Sequence, residues 1–259
     1  MAWSESLRRG AVGLVTEGIN LLFPPRCVLC GHEDFLKVAE ERLAGSRPLC
    51  LNCVRQITAD VERCLICGTA GPMSGRCRRC RGRCADWEGI AVLGGYGDRL
   101  REGVLRSKQP AGYDVLVGLT ALLLERHRPT FNSWQIDLIV PVPMHWMRRM
   151  VRGTSTADVM AQTIGRLTAV EVRHALRRRR ATAMQNRLPH ADRRANVRDA
   201  FRSQGLVTGR RVLLVDDVAT TGGTLGACAR ELRRAGAATV HAAVLARADH
   251  DNGGNARGD

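Results

Sequence analysis

Apolar residues follow two different spacings in the chain after Trp87, and the two spacings alternate. Uninterrupted runs of branched residues predict strands buried on both faces of a sheet, whereas apolar residues three and four positions apart predict helices. The predicted strands are 89–96, 136–143, 169–176, 212–215 and 239–246, and the predicted helices are 99–108, 115–127, 154–167 and 225–235. This alternation indicates an α/β fold with a mostly parallel central sheet flanked by helices.

The first 25 residues show the pattern of a single amphipathic helix. Apolar residues recur on one stripe of residues 4–22, and Pro24 and Pro25 follow, where a helix is expected to end. We expect this helix to pack on the body of the protein; lying on a membrane surface is the alternative, although the helix has only two cations. No apolar run reaches the ~20 residues of a membrane span. Residues 249–259 have nothing to bury and predict a disordered tail.

The strand at 212–215 leads into the stretch around which the chain is organised. Asp216 and Asp217 end the apolar run, and a threonine- and glycine-rich loop, Thr220 to Thr224, precedes the next predicted helix. Glycines let backbone amides approach a phosphate, threonine hydroxyls add donors, and a helix N-terminus adds partial positive charge. Carboxylates at the strand end can accept hydrogen bonds from vicinal ribose hydroxyls. The stretch therefore predicts a site for a phosphorylated sugar; a structural strand–turn–helix with a solvated acidic end is the alternative.

The charge of the chain favours partners that carry phosphate. Its 259 residues include 40 basic and 25 acidic ones, for a formal net charge of +15 and a pI of about 10.5. Such an excess attracts a phosphorylated sugar, nucleotides or nucleic acid. Twelve arginines and only two aspartates fall between Arg173 and Arg211, although a run of this kind is often a solvated face. Because the N-terminus lacks the features of a secretory signal, we expect a cytoplasmic protein.

Eight of the ten cysteines stand in four Cys-x-x-Cys pairs, a spacing typical of zinc knuckles. Two knuckles complete one tetrahedral site, so the chain is predicted to hold two structural zinc ions. Sequential pairing of the knuckles is the simpler arrangement, and interleaved pairing stays open. The segment has little apolar core of its own, which predicts that metal binding supplies its folding energy. The predicted ligands are Cys27, Cys30, Cys50, Cys53, Cys64, Cys67, Cys77 and Cys80.

A second candidate phosphate site follows the strand at 136–143. Ligands of an open α/β sheet bind outside the carboxyl ends of its strands, and here Pro143 and His145 come next in the chain. Three arginines follow that could reach the oxygens of a diphosphate: Arg148, Arg149 and Arg152.

The acid pair and its loop resemble the signature with which type I phosphoribosyltransferases bind phosphoribosyl pyrophosphate (PRPP). Further motifs stand in an order similar to that of the ComF family of competence-associated proteins, from about Pro24 to Arg247. They are the cysteine pairs, Tyr96…Leu100-Arg-Glu…Lys108, Pro141-Val-Pro-x-His145, Arg152-Gly153, the arginine-rich block from Leu176 to Phe201, and Val215-Asp-Asp-Val-x-Thr-Thr-Gly222.

The resemblance implies an N-terminal helix (1–25), a double zinc ribbon (26–84), a type I phosphoribosyltransferase domain (87–248) and a tail (249–259). It also implies that PRPP binds together with Mg²⁺. The candidate catalytic residues are then Asp216, Asp217, Lys108 and Arg177. The candidate PRPP-binding residues are the acid pair with Ala219, Thr220, Thr221, Gly222, Gly223, Thr224, Pro143, His145 and Arg152. Thr182, Gln185 and Arg193 also fall at family positions, in an arginine-rich segment that would close over the ligand.

By this resemblance the protein transfers a phosphoribosyl group to a nucleobase and takes part in DNA uptake. A non-catalytic adaptor that binds single-stranded DNA or a competence helicase, with PRPP as regulator, is the alternative; a homodimer is one open assembly. Two departures bear on activity. Thr154, Ser155 and Thr156 replace the family's Phe-Asn-Gln, which puts turnover in question. Thr220 stands where 6-oxopurine enzymes carry an aspartate, which disfavours hypoxanthine or guanine as acceptor and leaves adenine-like or orotate-like chemistry, or none.

Overall fold

The computed structural model of the chain describes residues 26–32, 49–58, 61–71, 77, 80, 85–144, 155–178 and 200–249. The helix predicted at 4–22 lies outside the described residues, as does the tail after Asp249. Asp249 itself, the first residue of the predicted tail, is held in place. Its carboxylate pairs with Arg63 at 3.0 Å and accepts a hydrogen bond from the amide of Ala70 at 3.1 Å.

Five parallel strands form the central sheet, in the spatial order β1-β7-β6-β2-β3. Two further short strands, β4 and β5, pair antiparallel outside it. This confirms the mostly parallel sheet that the apolar runs predict. The strands are β1 (Gly89–Gly95), β2 (Leu138–Pro141), β3 (Glu171–Val172), β4 (Leu176–Arg178), β5 (Phe201–Ser203), β6 (Arg211–Ala219) and β7 (Thr239–Arg247).

Helices cover both faces of the sheet. In the described residues they are α1 (Leu51–Ile57), α2 (Asp98–Arg106), α3 (Tyr113–Arg126), α4 (Arg128–Trp134), α5 (Thr156–Thr168) and α6 (Gly223–Arg234). Four of them match predicted helices to within about two residues. Two helices, α1 and α4, were not predicted. Helix α4 buries none of its residues and so leaves no apolar periodicity in the sequence.

The central strand β6 shows why its run is apolar at every position. Leu213 and Val215 belong to the hydrophobic cluster that α2, α3 and α5 cover, whereas Val212 and Leu214 belong to the cluster under α6. Side chains alternate between the faces of a strand, so a strand with helices on both sides needs apolar residues throughout. Burial of one such side chain stabilises the fold by roughly 1.5 to 3 kcal/mol.

Two strands differ from the predicted ones. The strand predicted at 169–176 is two separate strands: β3 joins the main sheet, and β4 leaves it to pair with β5. Ala169 takes a left-handed conformation (φ 57°) at the end of α5, so the chain enters β3 only at Glu171. The second difference is in β6, which does not end at the acid pair but continues through it to Ala219.

The first cysteine pairs share the core of the α/β domain. Cys27, Leu29, Cys53 and Ile57 are buried in the same cluster as Leu93 of β1. The guanidinium of Arg106, at the end of α2, donates to the carbonyl oxygens of Leu29 and Val28. Packing on the sheet therefore adds to the folding energy of this segment, which the sequence had assigned to metal alone. None of the helices in the described ranges has the length and apolar character of a membrane span.

Candidate functional site

The carboxyl edge of the sheet carries a cleft between the end of β6 and the start of α5, with a volume of about 230 Å³. Ten residues predicted from the sequence line it: Lys108, Pro143, Asp216, Asp217, Ala219, Thr220, Thr221, Gly222, Gly223 and Thr224. The cleft thus brings together the acid pair, the loop after it, and the end of β2. The lining residues that were not predicted as site residues are Val142, Met144, Ser155, Thr156, Ala157, Arg178, Val218 and Leu225.

The phosphate loop, Thr220–Thr224, presents backbone donors to this cleft. Gly222 is left-handed (φ 78°) at the N-cap of α6, a conformation that glycine adopts at little cost. The amide of Gly223 donates to Oγ1 of Thr221 at 3.3 Å. Within the part of the chain that the structure describes, the amides of Thr221, Gly222, Thr224 and Leu225 donate to no protein acceptor. Unpaired amides at a helix N-terminus form a site for an anion.

The two acids of the pair have different surroundings. Nζ of Lys108 lies 2.8 Å from Oδ2 of Asp217, and the hydroxyl of Thr156 donates to the same oxygen at 3.1 Å. Asp216 accepts a hydrogen bond from the amide of Asp217 at 2.9 Å. Burial raises the pKa of Asp216 well above its ordinary value, and the neighbouring carboxylate of Asp217 raises it further. Asp216 is therefore a carboxyl group that gains from any donor or cation that enters the cleft.

A tight turn holds Lys108 at the cleft. Lys108 follows α2, and the chain then folds back sharply enough that a Cβ on Gly112 would lie 2.1 Å from the carbonyl oxygen of Arg106. Only glycine fits such a close approach of two backbone segments. The turn thus fixes the backbone from which Lys108 reaches Asp217.

Two residues of the departure from the family pattern, Ser155 and Thr156, line the cleft, and Thr154 lies outside the described residues. Ser155 caps α5, since its side chain accepts from the amide of Asp158 at 3.4 Å. Thr156 contacts Asp217, a role that the sequence did not reveal. No local pattern signals this contact, because the two residues are 61 positions apart.

One predicted residue does not line the cleft, and two others lie outside the described residues. Arg177 of β4 is exposed and does not line it, whereas its neighbour Arg178 does. Successive side chains of a strand point to opposite sides, so only one of two adjacent arginines can face the site. Arg178 also lies over the ring of Phe201, at 5.5 Å from its centroid. His145 and Arg152 lie outside the described residues, as do Arg148 and Arg149.

The eight knuckle cysteines form two tetrads, in which the sulfur atoms lie within 4.8 Å of one another. The first tetrad is Cys27, Cys30, Cys50 and Cys53, and the second is Cys64, Cys67, Cys77 and Cys80. The pairing is therefore sequential. Four converging thiolates fit the closed tetrahedral site of a structural zinc ion.

Backbone amides favour thiolates in both tetrads. Burial acts to raise the pKa of Cys27, but backbone donors, including the amide of Cys50 at 3.3 Å, outweigh it and the pKa falls to about 7. The pKa of Cys64 falls to about 6 for the same reason. Burial raises the pKa of Cys53 and of Cys80, so a bound cation would be needed to keep these two as thiolates.

A parallel sheet that ends in an acid pair, a threonine–glycine loop and a helix N-terminus defines the phosphoribosyltransferase fold. The model of the phosphoribosyl transferase domain family matches residues 120–255, and that of the double zinc ribbon domain matches residues 18–81. The chain is 33% identical over 208 residues to the DNA utilization protein YhgH of Escherichia coli O157:H7, covering 78% of this chain and 92% of that protein. It is 31% identical over 208 residues to competence protein F of Haemophilus influenzae, covering 77% of this chain and 90% of that protein. The chain belongs to the ComF family of these two relatives, with a type I phosphoribosyltransferase domain and a double zinc ribbon.

Among solved structures, the orotate phosphoribosyltransferase of Mycobacterium tuberculosis H37Rv is 16% identical to this chain, with a TM-score of 0.33. The match covers 76% of this chain and 82% of the enzyme.

Proposed function

We propose that the cleft binds PRPP with Mg²⁺ and that the protein transfers the phosphoribosyl group to a nucleobase. One observation carries this proposal: unpaired amides and a carboxylate pair face the same cleft. The amides of the phosphate loop suit the 5′-phosphate, and Asp216 and Asp217 suit the vicinal ribose hydroxyls. A ribose phosphate carries both groups on one small molecule.

The cations and carboxylates of the cleft fit the remainder of this ligand. Mg²⁺ prefers oxygen ligands, which Asp216, Asp217 and the diphosphate of PRPP all offer. When bound, the ion neutralises charge that develops on the leaving diphosphate. Lys108 and Arg178 add positive charge from the protein, and Pro143 lines the cleft at the end of β2, where the diphosphate is expected.

In the proposed reaction, a nitrogen of the base forms a bond to C1 of the ribose while the bond from C1 to the diphosphate oxygen breaks. The diphosphate leaves with the electron pair, and the nitrogen gives its proton to the departing diphosphate or to water. Thr220 cannot act as a general base near neutral pH, which disfavours hypoxanthine or guanine, so we infer an acceptor of the adenine or orotate kind.

Calorimetric titration with PRPP and Mg²⁺ tests the binding step. The wild-type protein should bind, and the double variant Asp216→Asn, Asp217→Asn should bind at least about 100-fold more weakly, because two charged acceptors are lost. Asp137→Asn is the matched control, since Asp137 pairs with Arg211 at the opposite edge of the sheet. Equal binding by wild type and the double variant would disprove the assignment of the acid pair.

Turnover requires a separate measurement. Release of pyrophosphate from PRPP should be followed across a panel of nucleobases, with and without single-stranded DNA. Release that depends on one base and is lost in the double variant supports a transferase. Binding of PRPP without release under all conditions would leave a non-catalytic role for the same cleft.

The names of the relatives favour a second function in handling DNA. We infer a role in DNA uptake, in which the double zinc ribbon or the positive charge of the chain, +15 in total, contacts single-stranded DNA or a helicase. With two Tyr, four Phe and four Trp in the chain, binding would rest on phosphates rather than on stacked bases, and should fall steeply with salt. Absence of affinity for an oligonucleotide at ~50 mM salt would exclude direct DNA binding.

A further inference from the structure

Trp87 lies between the second cysteine tetrad and the phosphate loop. Its indole nitrogen donates to the carbonyl oxygen of Ile66 at 2.6 Å, and Ile66 is inside the knuckle that Cys64 and Cys67 form. On the other side, a Cβ placed on Gly222 would lie 3.2 Å from Cη2 of Trp87. One edge of the indole thus touches the metal-binding knuckle, and another edge touches the residue that turns the phosphate loop into α6.

The segment that carries Trp87 is fixed on both sides. Asp86 forms an ion pair with Arg230 of α6 at 2.5 Å, and a carboxylate oxygen of Glu88 accepts from the amide of Val240 at 2.8 Å. The knuckle is joined to the sheet as well, because the amide of Ile90 donates to the carbonyl oxygen of Leu65 at 2.8 Å. The indole therefore has little freedom to move unless the knuckle or the loop moves with it.

A second contact path runs beside the first. Gly68, at the end of the same knuckle, is close to β1 and β7: a Cβ on it would lie 2.6 Å from Cγ2 of Val92 and 3.8 Å from Cδ of Arg247. The buried guanidinium of Arg247 donates to the carbonyl oxygen of Thr220, the first residue of the phosphate loop. The knuckle thus contacts groups that hold both ends of this loop.

We propose that Trp87 is a positioning residue that couples the second cysteine tetrad to the phosphate loop, so that metal in the tetrad favours the anion-binding conformation of the loop. Metal binding fixes the knuckle, the carbonyl of Ile66 fixes the indole, and the indole limits the positions open to Gly222. The first tetrad has a different surrounding, since its residues pack with α2 and α3. Coupling is reciprocal, so an anion in the loop strengthens metal binding by the same factor.

Two variants of Trp87 test this coupling. Trp87→Leu removes the aromatic ring beside Gly222 and the donor to Ile66, whereas Trp87→Phe removes the donor but keeps an aromatic ring, which is shorter than the indole. The first readout needs no ligand: hydrogen exchange of the Gly226 amide, which donates to the carbonyl of Gly222 at 2.9 Å. Exchange should be about 10-fold faster in Trp87→Leu and intermediate in Trp87→Phe. Unchanged exchange in Trp87→Leu would overturn the proposal.

Affinity for PRPP with Mg²⁺ is the second readout, and it rests on the proposed function. Trp87→Leu should bind about 10-fold more weakly while it keeps the zinc content of the wild type, and Trp87→Phe should recover part of the loss. Removal of the second metal, by Cys77→Ser with Cys80→Ser, should weaken binding in the wild type and add little in Trp87→Leu. Equal losses in both backgrounds would show that the coupling does not pass through Trp87.

Trp134→Leu is the matched control, because Trp134 stacks on His241, with ring centroids 4.3 Å apart, away from the loop. It should change neither the exchange of Gly226 nor the affinity for PRPP. If the wild-type protein fails to bind PRPP, the proposed function fails, and the exchange of Gly226 in the Trp87 variants still decides the coupling.

Discussion

Both edges of the central sheet carry a carboxylate near a cation, but the pKa of the carboxylate is lowered at one edge and raised at the other. At the amino edge, the guanidinium of Arg211 donates to both carboxylate oxygens of Asp137, at 2.9 and 2.7 Å. The side chain and then the amide of Arg211 lower the pKa of Asp137 to about 2. At the carboxyl edge, Lys108 reaches Asp217 alone, and the pKa of Asp216 is raised by burial.

We therefore assign the amino edge to the stability of the fold and the carboxyl edge to ligand binding. The amino edge joins β2 to β6 through a carboxylate whose partners are already in place. The carboxyl edge keeps a half-buried acid and several amides short of partners, which costs stability until a ligand supplies them. Perturbed carboxylates of this kind cluster at functional sites because a fully satisfied group has little to offer a ligand.

The largest effect is expected when Asp216, the half-buried acid of the cleft, is replaced. Asp216→Asn should weaken binding of PRPP with Mg²⁺ by about 100-fold, yet raise the thermal stability of the free protein. An acid whose folded pKa is raised favours the folded state at low pH, and this contribution is lost as the pH rises through the folded pKa. Removal of the charge should therefore stabilise the protein by about 1 kcal/mol at pH 8, or roughly 2–4 °C in Tm, and by less at pH 4.

Calorimetric binding and thermal unfolding of the same preparations measure both effects, with Asp137→Asn as the control. That variant should show the reverse: unchanged binding and a lower Tm. A fall in Tm on Asp216→Asn at pH 8 would mean that Asp216 stabilises the fold.

The sequence predicts the carboxyl edge better than the contacts within it. The run of 212–215, the acid pair and the glycine loop are local features, and each one has a physical reason to stand in that order. The contact of Thr156 with Asp217 is not local, and no spacing of residues in the sequence predicts it. Which of Arg177 and Arg178 faces the cleft depends on the residue at which β4 begins, and sequence patterns locate strand ends only to within a few residues.

The position of the zinc ribbon was equally beyond the sequence. Cysteine spacing predicts the two tetrads because it is a property of each knuckle. Burial of Leu29 and Ile57 beside Leu93 is a property of two surfaces that meet, and periodicity within one segment does not say which other segment covers it. The contact of Trp87 with Gly222 likewise joins two distant segments, and neither segment predicts it alone.

The next largest effect is the pH dependence of stability that is expected from His241, at the amino edge of the sheet. Burial, and secondly the charge of Arg233, lowers the pKa of His241 to about 4. A depressed folded pKa means that the unfolded chain takes up the proton first, so stability is lost as the pH falls from about 6.5 to about 4. The loss should be roughly 2 kcal/mol, and His241→Phe, which keeps a ring against Trp134, should lack it. Unfolding by urea at pH 7 and at pH 4.5 measures the difference.

A smaller effect is expected for Lys108. Its positive charge lowers the pKa of Asp216, acting against burial, so Lys108→Met should move the pH dependence of PRPP binding to higher pH. At pH 6 the variant should bind about 10-fold more weakly than the wild type, and the gap should narrow at pH 8 as Asp216 ionises. A gap that stays constant from pH 6 to pH 8 would assign Lys108 to the ligand rather than to Asp217.

The smallest effect is expected for the Asp137–Arg211 ion pair, although its guanidinium donates to both carboxylate oxygens. Asp137 and Arg211 have side chains that are 27% and 39% exposed, so water and salt screen their attraction. Asp137→Asn should lower Tm by no more than a few degrees at pH 7.

The wild type should keep this advantage in Tm down to about pH 4 and lose it as the pH falls to about 2, because the carboxylate protonates there. Salt at ~1 M should reduce the difference, whereas the gain from Asp216→Asn, at a half-buried acid inside a cleft, should persist. Thermal unfolding at low and high salt separates the two edges, since equal responses to salt would contradict the contrast between a solvent-screened ion pair and an acid inside the cleft.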